Sequence, residues 1–161
     1  MKNKKGFTLI EMAVVLLVIG ILSGILLRNI GELPKSARDQ RRIGDLKSTE
    51  IYLATYLNKF GYFPSSTSWS ALETELRNVG IVDRLPRDPS GKEYNYYPCT
   101  DTGSLSDYRD INHFILRAQL EQTASSAPRI WETSLTSTPL GWTCNGTPNC
   151  NPAQRYYCMA K

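Results

Sequence analysis

The sequence is poor in the residues that most often carry catalysis or bind metals. Only one of its 161 residues is a histidine, His113, and it lies in an apolar, strand-like run without a cysteine or serine close enough to form a dyad. No short Cys-x-x-Cys spacing is present, so a zinc site is disfavoured. The sequence offers no constellation for an enzyme, and an enzyme anchored by one helix is therefore only a minor alternative.

The sequence also lacks a large excess of charge of either sign. Its formal net charge is +4. Three of these charges are the lysines Lys2, Lys4 and Lys5, so removal of the first six residues leaves side chains that sum to +1. Binding to nucleic acid is consequently not indicated by charge.

A long apolar run, from Phe7 to Leu27, follows these lysines and is closed by Arg28. As a helix it would reach roughly 30 Å, the thickness of a bilayer core. The run therefore predicts a spanning segment whose basic flank stays in the cytoplasm. A secretory signal peptide is the alternative, but it would have a shorter core and a small-residue cleavage site on its far side.

Glu11 is the single ionisable residue of this run. A carboxylate in hydrocarbon costs on the order of 2.5–3.5 kcal/mol, so an unpaired one needs an explanation. One interpretation is that the side chain reaches back to the headgroups. The other is that a cation neutralises it.

The string Lys-Lys-Gly-Phe-Thr-Leu-Ile-Glu, residues 4–11, resembles the N-terminus of the type IV pilin and pseudopilin family. The resemblance implies that a prepilin peptidase cuts after Gly6 and N-methylates Phe7. It also implies that Glu11 pairs with the N-terminal amine of a neighbouring subunit during filament assembly. This chemistry is physically reasonable, because cleavage turns a neutral amide into a cation that can neutralise a buried acid.

The resemblance further implies a structural subunit that is stored in the membrane, with a cytoplasmic N-terminus and an extracytoplasmic head. An inner-membrane assembly platform would then extract it into a homo-oligomeric helical filament outside the cell. The cysteines and the Ser/Thr-rich C-terminal part favour the subunit of a type IV pilus. The alternatives are a pseudopilin of a type II secretion system and a minor or competence pilin whose head binds DNA or a surface.

The fold expected is α+β, with a long N-terminal helix on a small antiparallel sheet. We predict four segments: a cleaved leader over 1–6, a transmembrane and assembly helix over 7–27, its amphipathic half over 28–60 and a disulfide-bonded head over 61–161. The amphipathic half is predicted from apolar residues spaced by three, four and seven: Ile43, Leu46, Leu53, Leu57 and Phe60. Gly20 matches a glycine of many pilins, but Arg28 replaces their later proline, so a bend is expected near Gly31–Pro34 instead.

The head is predicted to hold a short helix and three strands. Ser70 and Glu73 read as a capping box that opens a helix ending near Asn78. The strands are expected over 92–97, 112–120 and 155–159. Residues 85–91, Leu-Pro-Arg-Asp-Pro-Ser-Gly, resemble a turn of the major pseudopilins, with Ser90 in place of the usual aromatic residue.

Four cysteines, Cys99, Cys144, Cys150 and Cys158, lie in the predicted head, and an even number outside the cytoplasm indicates two disulfides. Three pairings exist. The turn-rich link between Cys144 and Cys150 favours a local bridge between them, which leaves Cys99 with Cys158.

Two further groups of residues could have either a functional or a purely structural role. Asp101, Asp107 and Asp110 lie in one loop and could hold calcium, although solvated loop acids are the expected interpretation. The tyrosines could form a stacking surface for DNA or sugar, but they are also ordinary strand residues: Tyr94, Tyr96, Tyr97, Tyr156 and Tyr157. No cofactor is expected.

Overall fold

The computed structural model describes residues 8–27 and 33–161. The chain divides into two units, residues 1–35 and 36–161, and each is described by itself. The first unit contains α1, Leu9–Leu27. The second contains a four-stranded sheet, the shorter helices and all but the first three residues of α2, Leu33–Phe60.

α2 is an amphipathic helix that ends where the sequence predicts. Its buried side includes Leu46 and Leu53, both fully buried. Gly61 follows with a φ of 84°, a conformation in which glycine avoids the clash of a Cβ atom. Pro34 is the second described residue of α2, and the predicted bend stays a prediction. Gly31, the other residue of the predicted bend, lies outside the described residues.

α3, Trp69–Asn78, ends at the predicted residue but begins before the predicted one. Its N-cap is Ser68, whose hydroxyl accepts the backbone N–H of Ala71 at 3.2 Å. The predicted capping box at Ser70 is therefore wrong. Glu73 instead accepts the backbone N–H of Leu85 at 3.0 Å, so it holds the following turn against the helix.

The sheet is antiparallel, with the spatial order β3-β1-β2-β4. β1 is Asn95–Thr100, β2 is His113–Gln119, β3 is Thr143–Cys144 and β4 is Tyr156–Ala160. The strand predicted over 92–97 lies three residues early, and the two-residue β3 was not predicted. A short helix, α4 over Pro128–Trp131, lies in the connection between β2 and β3.

The main core lies between one face of this sheet and the helices α2 and α3. Alternate strand residues, among them Tyr96, Phe114 and Leu116, point to this face and are almost completely buried. The other face carries a second, smaller cluster around Ile115, covered by Leu135 and Trp142 from the C-terminal loops. The predicted α+β fold, a helix on a small antiparallel sheet, is therefore confirmed.

Candidate assembly segment and ionic cluster of the head

The apolar side chains of α1 are exposed along the described part of the helix. Leu9 is 88% exposed and Leu16 is 66% exposed. Removal of such side chains from water is favourable in proportion to the apolar area covered. Among the residues that the structure describes, no helix meets the length and apolarity needed to cross a membrane.

Glu11 makes a reciprocal cap at the beginning of α1. Its carboxylate accepts the backbone N–H of Thr8 at 2.8 Å and the hydroxyl of Thr8 at 2.6 Å. In return the Glu11 backbone N–H donates to the Thr8 hydroxyl at 3.4 Å. Thr8-x-x-Glu11 is thus a capping box, which the sequence pattern signals but which was not predicted above. It gives Glu11 a local role in addition to any role between subunits.

The predicted processing residues, Gly6 and Phe7, lie outside the described residues, as do the rest of the leader and Arg28. Cleavage after Gly6, methylation of Phe7 and the pairing of Glu11 with a neighbouring amine therefore stay predictions.

The four cysteines form two disulfides, Cys99–Cys144 and Cys150–Cys158. The pairing predicted from the sequence is wrong, and the order of the strands explains why. Cys99 on β1 lies directly opposite Cys144 on β3, with 4.0 Å between their Cα atoms. Cys158 lies on β4, two strands from β1 and therefore more than about 10 Å from Cys99, which is too far for a bridge. The two disulfides hold the C-terminal loops on the outer face of the sheet.

An ionic cluster, defined here as Arg38, Asp39, Arg42, Asp88, Ser90 and Glu121, joins α2 to the turn before β1 and to the segment after β2. The Arg42 side chain is completely buried. It donates to both carboxylate oxygens of Asp88, to Asp39 at 2.6 Å and to Glu121 at 2.9 Å. Its fifth N–H donates to the Ser90 hydroxyl at 2.6 Å. All five donors of the guanidinium group are therefore satisfied.

The cluster joins three parts of the chain that are distant in sequence. Asp39 of α2 accepts the backbone N–H groups of Glu121 and Gln122, each at 2.9 Å, just after β2. Arg38 donates to both carboxylate oxygens of Glu121. Asp88 lies in the turn that precedes β1 and accepts hydrogen bonds from Arg42 of α2. A break in the cluster would therefore loosen α2 from the turn and from the end of β2 together.

The ion pairs keep Asp88 and Glu121 charged. Burial opposes ionisation of Asp88, but hydrogen bonds from Arg42 and Ser90 outweigh it and lower its pKa to about 2. The hydrogen bond from Arg38 is the main cause that lowers the pKa of Glu121, also to about 2. Burial opposes the charge of Arg42, yet its three carboxylate partners raise its pKa.

This cluster was not predicted, because charged side chains on an amphipathic helix are normally solvated. A signal was nevertheless present. Asp39, Arg42 and Leu46 are spaced by three and four, so both charges continue the apolar stripe of α2 toward its N-terminus. The turn with Asp88 is the segment that resembles major pseudopilins, and Ser90, its departure from them, contacts Arg42 directly.

Two of the three loop acids accept hydrogen bonds from neighbouring protein groups. Asp101 accepts from the Asn112 amide, and Asp107 caps a single 3-10 turn, Tyr108–Asp110. Within residues 8–27 and 33–161, no group of three or more His, Cys, Asp or Glu side chains is arranged to hold a metal ion. Calcium binding stays a minor hypothesis.

His113 and the tyrosines have structural neighbours. His113 stacks on Trp142 with ring centroids 3.9 Å apart, and its Nε2 lies 3.8 Å from Asp101. Tyr94, Tyr96 and Tyr157 are buried in the main core. The guanidinium group of Arg117 lies over the rings of the other two tyrosines, Tyr97 and Tyr156. These tyrosines do not form an open stacking surface.

Comparison with known proteins places this arrangement in a family. The family described as the prokaryotic N-terminal methylation motif matches residues 1–27. The type II secretion system core protein G of Vibrio cholerae is 31% identical over 114 residues, which cover 65% of this chain and 78% of the relative. Those of Klebsiella pneumoniae and Pseudomonas aeruginosa are each 30% identical, and each match covers 74% of the relative and 58% or 59% of this chain. No solved structure matches the chain.

The N-terminal motif and the helix-on-sheet head define a pilin-like filament subunit, as the sequence predicted. The chain belongs to the type II secretion pseudopilin family, whose members include the type II secretion system core protein G.

Proposed function

We propose that this chain is a pseudopilin that builds the filament of a type II secretion system and has no catalytic activity. The proposal rests on the combination of two similarities in this chain. Residues 1–27 match the methylation motif, and the chain is similar to a type II secretion core protein G over 78% of that relative. The exposed apolar side of α1 supports it, because such a surface is stabilised by lipid before assembly and by other copies afterwards.

In this proposal the chain passes through two states. Residues 7–27 first hold it in the inner membrane, with the lysines inside and the head outside. Prepilin peptidase then cuts after Gly6, and an assembly platform packs α1 of successive copies into an open helical array. Glu11 meets the methylated amine of Phe7 from a neighbouring copy. The disulfides agree with a head outside the cytoplasm.

Mass spectrometry of the mature protein tests the processing step. We expect a chain that begins at N-methylated Phe7, and a Gly6→Ala or bulkier variant that stays uncut in the membrane. A mature chain that begins beyond Leu27 would overturn the proposal.

A type IV pilus subunit is the second candidate. Two disulfides fasten the C-terminal loops over the outer face of the sheet, and such a stapled surface suits an exposed pilus head. Deletion of the gene separates the two candidates. Loss of protein secretion with normal surface pili supports the pseudopilin, whereas loss of surface pili with normal secretion supports the pilus subunit.

A further inference from the structure

One long face of α2 is exposed. It carries two basic side chains, Arg41 and Lys47, with the small Gly44 between them and Ile51, 66% exposed, one turn further on. These positions are spaced by three and four and therefore lie on one side of the helix. Within the described part of the chain, neither Arg41 nor Lys47 has an ion-pair partner. We call Arg41, Gly44, Lys47 and Ile51 the basic stripe.

A surface of the opposite charge lies in the loop between β1 and β2, residues 101–110, which we call the acidic loop. Asp101 and Asp107 are exposed, and Asp110 is half-buried. Arg109 is its one cation, so the loop carries a net charge of −2 when the acids are ionised. Asp101 accepts from the neutral Asn112 amide and Asp107 from a backbone N–H, and the imidazole Nε2 of His113 lies 3.8 Å from Asp101.

The two surfaces lie at different heights along α2. The acidic loop is held at the C-terminal end of the helix, where Tyr108 packs on Tyr62 with ring centroids 5.1 Å apart and Phe63 donates to the Ile111 carbonyl. Lys47 precedes Phe60, the last residue of α2, by 13 positions. At the helical rise this is about 20 Å along the helix axis, so the basic stripe lies nearer the N-terminal end of α2 than the segment that holds the loop.

We propose that the basic stripe of one copy docks on the acidic loop of a second copy. The inference rests on the proposed function, because an open filament repeats one contact between two different surfaces of the subunit. Complementary charges at different heights on one helix suit copies displaced along its axis. Charge complementarity of this kind fixes the register and disfavours wrong arrangements more than it adds raw affinity.

The test uses the full chain in a strain that carries the assembly machinery, with filaments counted by electron microscopy at matched expression. The double reversal Arg41→Glu with Lys47→Glu is expected to lower filament number about tenfold, because like charges then face each other. Asp101→Lys with Asp107→Lys should do the same. The four changes together should restore filaments to within about twofold of the parent.

Three comparisons separate this contact from misfolding and from the proposed function. Arg77→Glu with Arg84→Glu makes the same charge change elsewhere on the exposed surface and should leave filament number unchanged. Asp107→Asn with Asp101→Asn keeps groups able to cap the loop and should give an intermediate loss. If the parent chain itself forms no filaments, the proposed function fails, and not only the contact.

Zero-length carbodiimide cross-linking of parent filaments gives the second readout. We expect a peptide that joins Lys47 to Asp101 or Asp107 in filaments and that is absent from the unassembled protein. Normal filaments from both double reversals would overturn the proposal. A loss of filaments that the combined variant does not rescue would also overturn the proposal if the cross-link is absent. The basic stripe would then bind another partner, such as an anionic lipid.

Discussion

Replacement of Arg42 by alanine should destabilise the head more than any other single change of a charged residue. The variant removes five hydrogen bonds and leaves three carboxylates, those of Asp39, Asp88 and Glu121, without their shared cation. The Asp39 side chain is 0% exposed and that of Asp88 is 1% exposed, so in the parent protein Arg42 and not water compensates their charges. Removal of one partner from a buried ion pair costs about 3–5 kcal/mol.

That loss is large beside the roughly 5–15 kcal/mol by which domains of this kind are stable. Urea unfolding of the full chain in detergent, with the disulfides intact, measures this loss of stability. The fluorescence of Trp69, Trp131 and Trp142 reports on the second unit alone, because the sequence has three tryptophans and all lie after residue 60. We expect the free energy of unfolding to fall by about 3–5 kcal/mol.

Arg41→Ala is the matched control, since Arg41 is the exposed neighbour of Arg42. It should change the free energy of unfolding by no more than about 0.5 kcal/mol. Arg42→Lys should fall between the two, because it keeps the charge and loses the planar fork that reaches Asp88 with two N–H groups. An effect below about 1 kcal/mol for Arg42→Ala would mean that the buried acids are stable without the arginine, contrary to this prediction.

The remaining predictions concern acid and the disulfides. The folded protein lowers the pKa values of Asp88 and Glu121 to about 2. Their contribution to the free energy of unfolding is therefore complete above their unfolded pKa values near 4, and it is lost as pH falls toward 2. Urea unfolding at a series of pH values should show this loss, and Arg42→Ala should show a weaker dependence below pH 4.5 if the ion pairs are its cause. Cys99→Ala with Cys144→Ala removes a disulfide between residues 45 apart and should lower the free energy of unfolding by about 4 kcal/mol. Cys150→Ala with Cys158→Ala removes a disulfide between residues 8 apart and should lower it by about 2.5 kcal/mol. Equal losses, or a larger loss from the shorter link, in the same urea assay would contradict the chain-entropy explanation.

Features set by local chemistry could be predicted from the sequence. The end of α2 follows from Phe60, Gly61 and Pro64, because a glycine with positive φ ends the helix and the proline prevents its continuation. The second strand was placed to within one residue at each end, over 112–120 against His113–Gln119, because its apolar run is flanked by polar loops.

Features set by distant parts of the chain could not be predicted. The disulfide pairing depends on β3 lying beside β1, and nothing near Cys144 encodes the order of the strands. Arg42 is buried because Asp88 and Glu121 arrive from residues 46 and 79 positions away. The cap of α3 was misplaced because Ser68 and Ser70 are both acceptable N-caps, and Glu73 was used by the turn instead.

The proposed assembly depends on the charge of Glu11, and Glu11→Gln removes that charge. Glutamine can still close the capping box with Thr8, so this variant removes the charge and keeps the cap. An unpaired amine of a neighbouring Phe7 in the apolar bundle would cost about 3–5 kcal/mol, enough to lower assembly more than about a hundredfold.

We therefore expect Glu11→Gln, like Glu11→Ala, to give processed, membrane-resident protein with few or no filaments by electron microscopy at matched expression. Thr8→Val is the control, because it removes both hydrogen bonds of the Thr8 hydroxyl and keeps the charge of Glu11; it should assemble at close to the parent level. Normal filament numbers from Glu11→Gln would contradict assembly through this charge, because Glu11 would then serve only to cap its own helix.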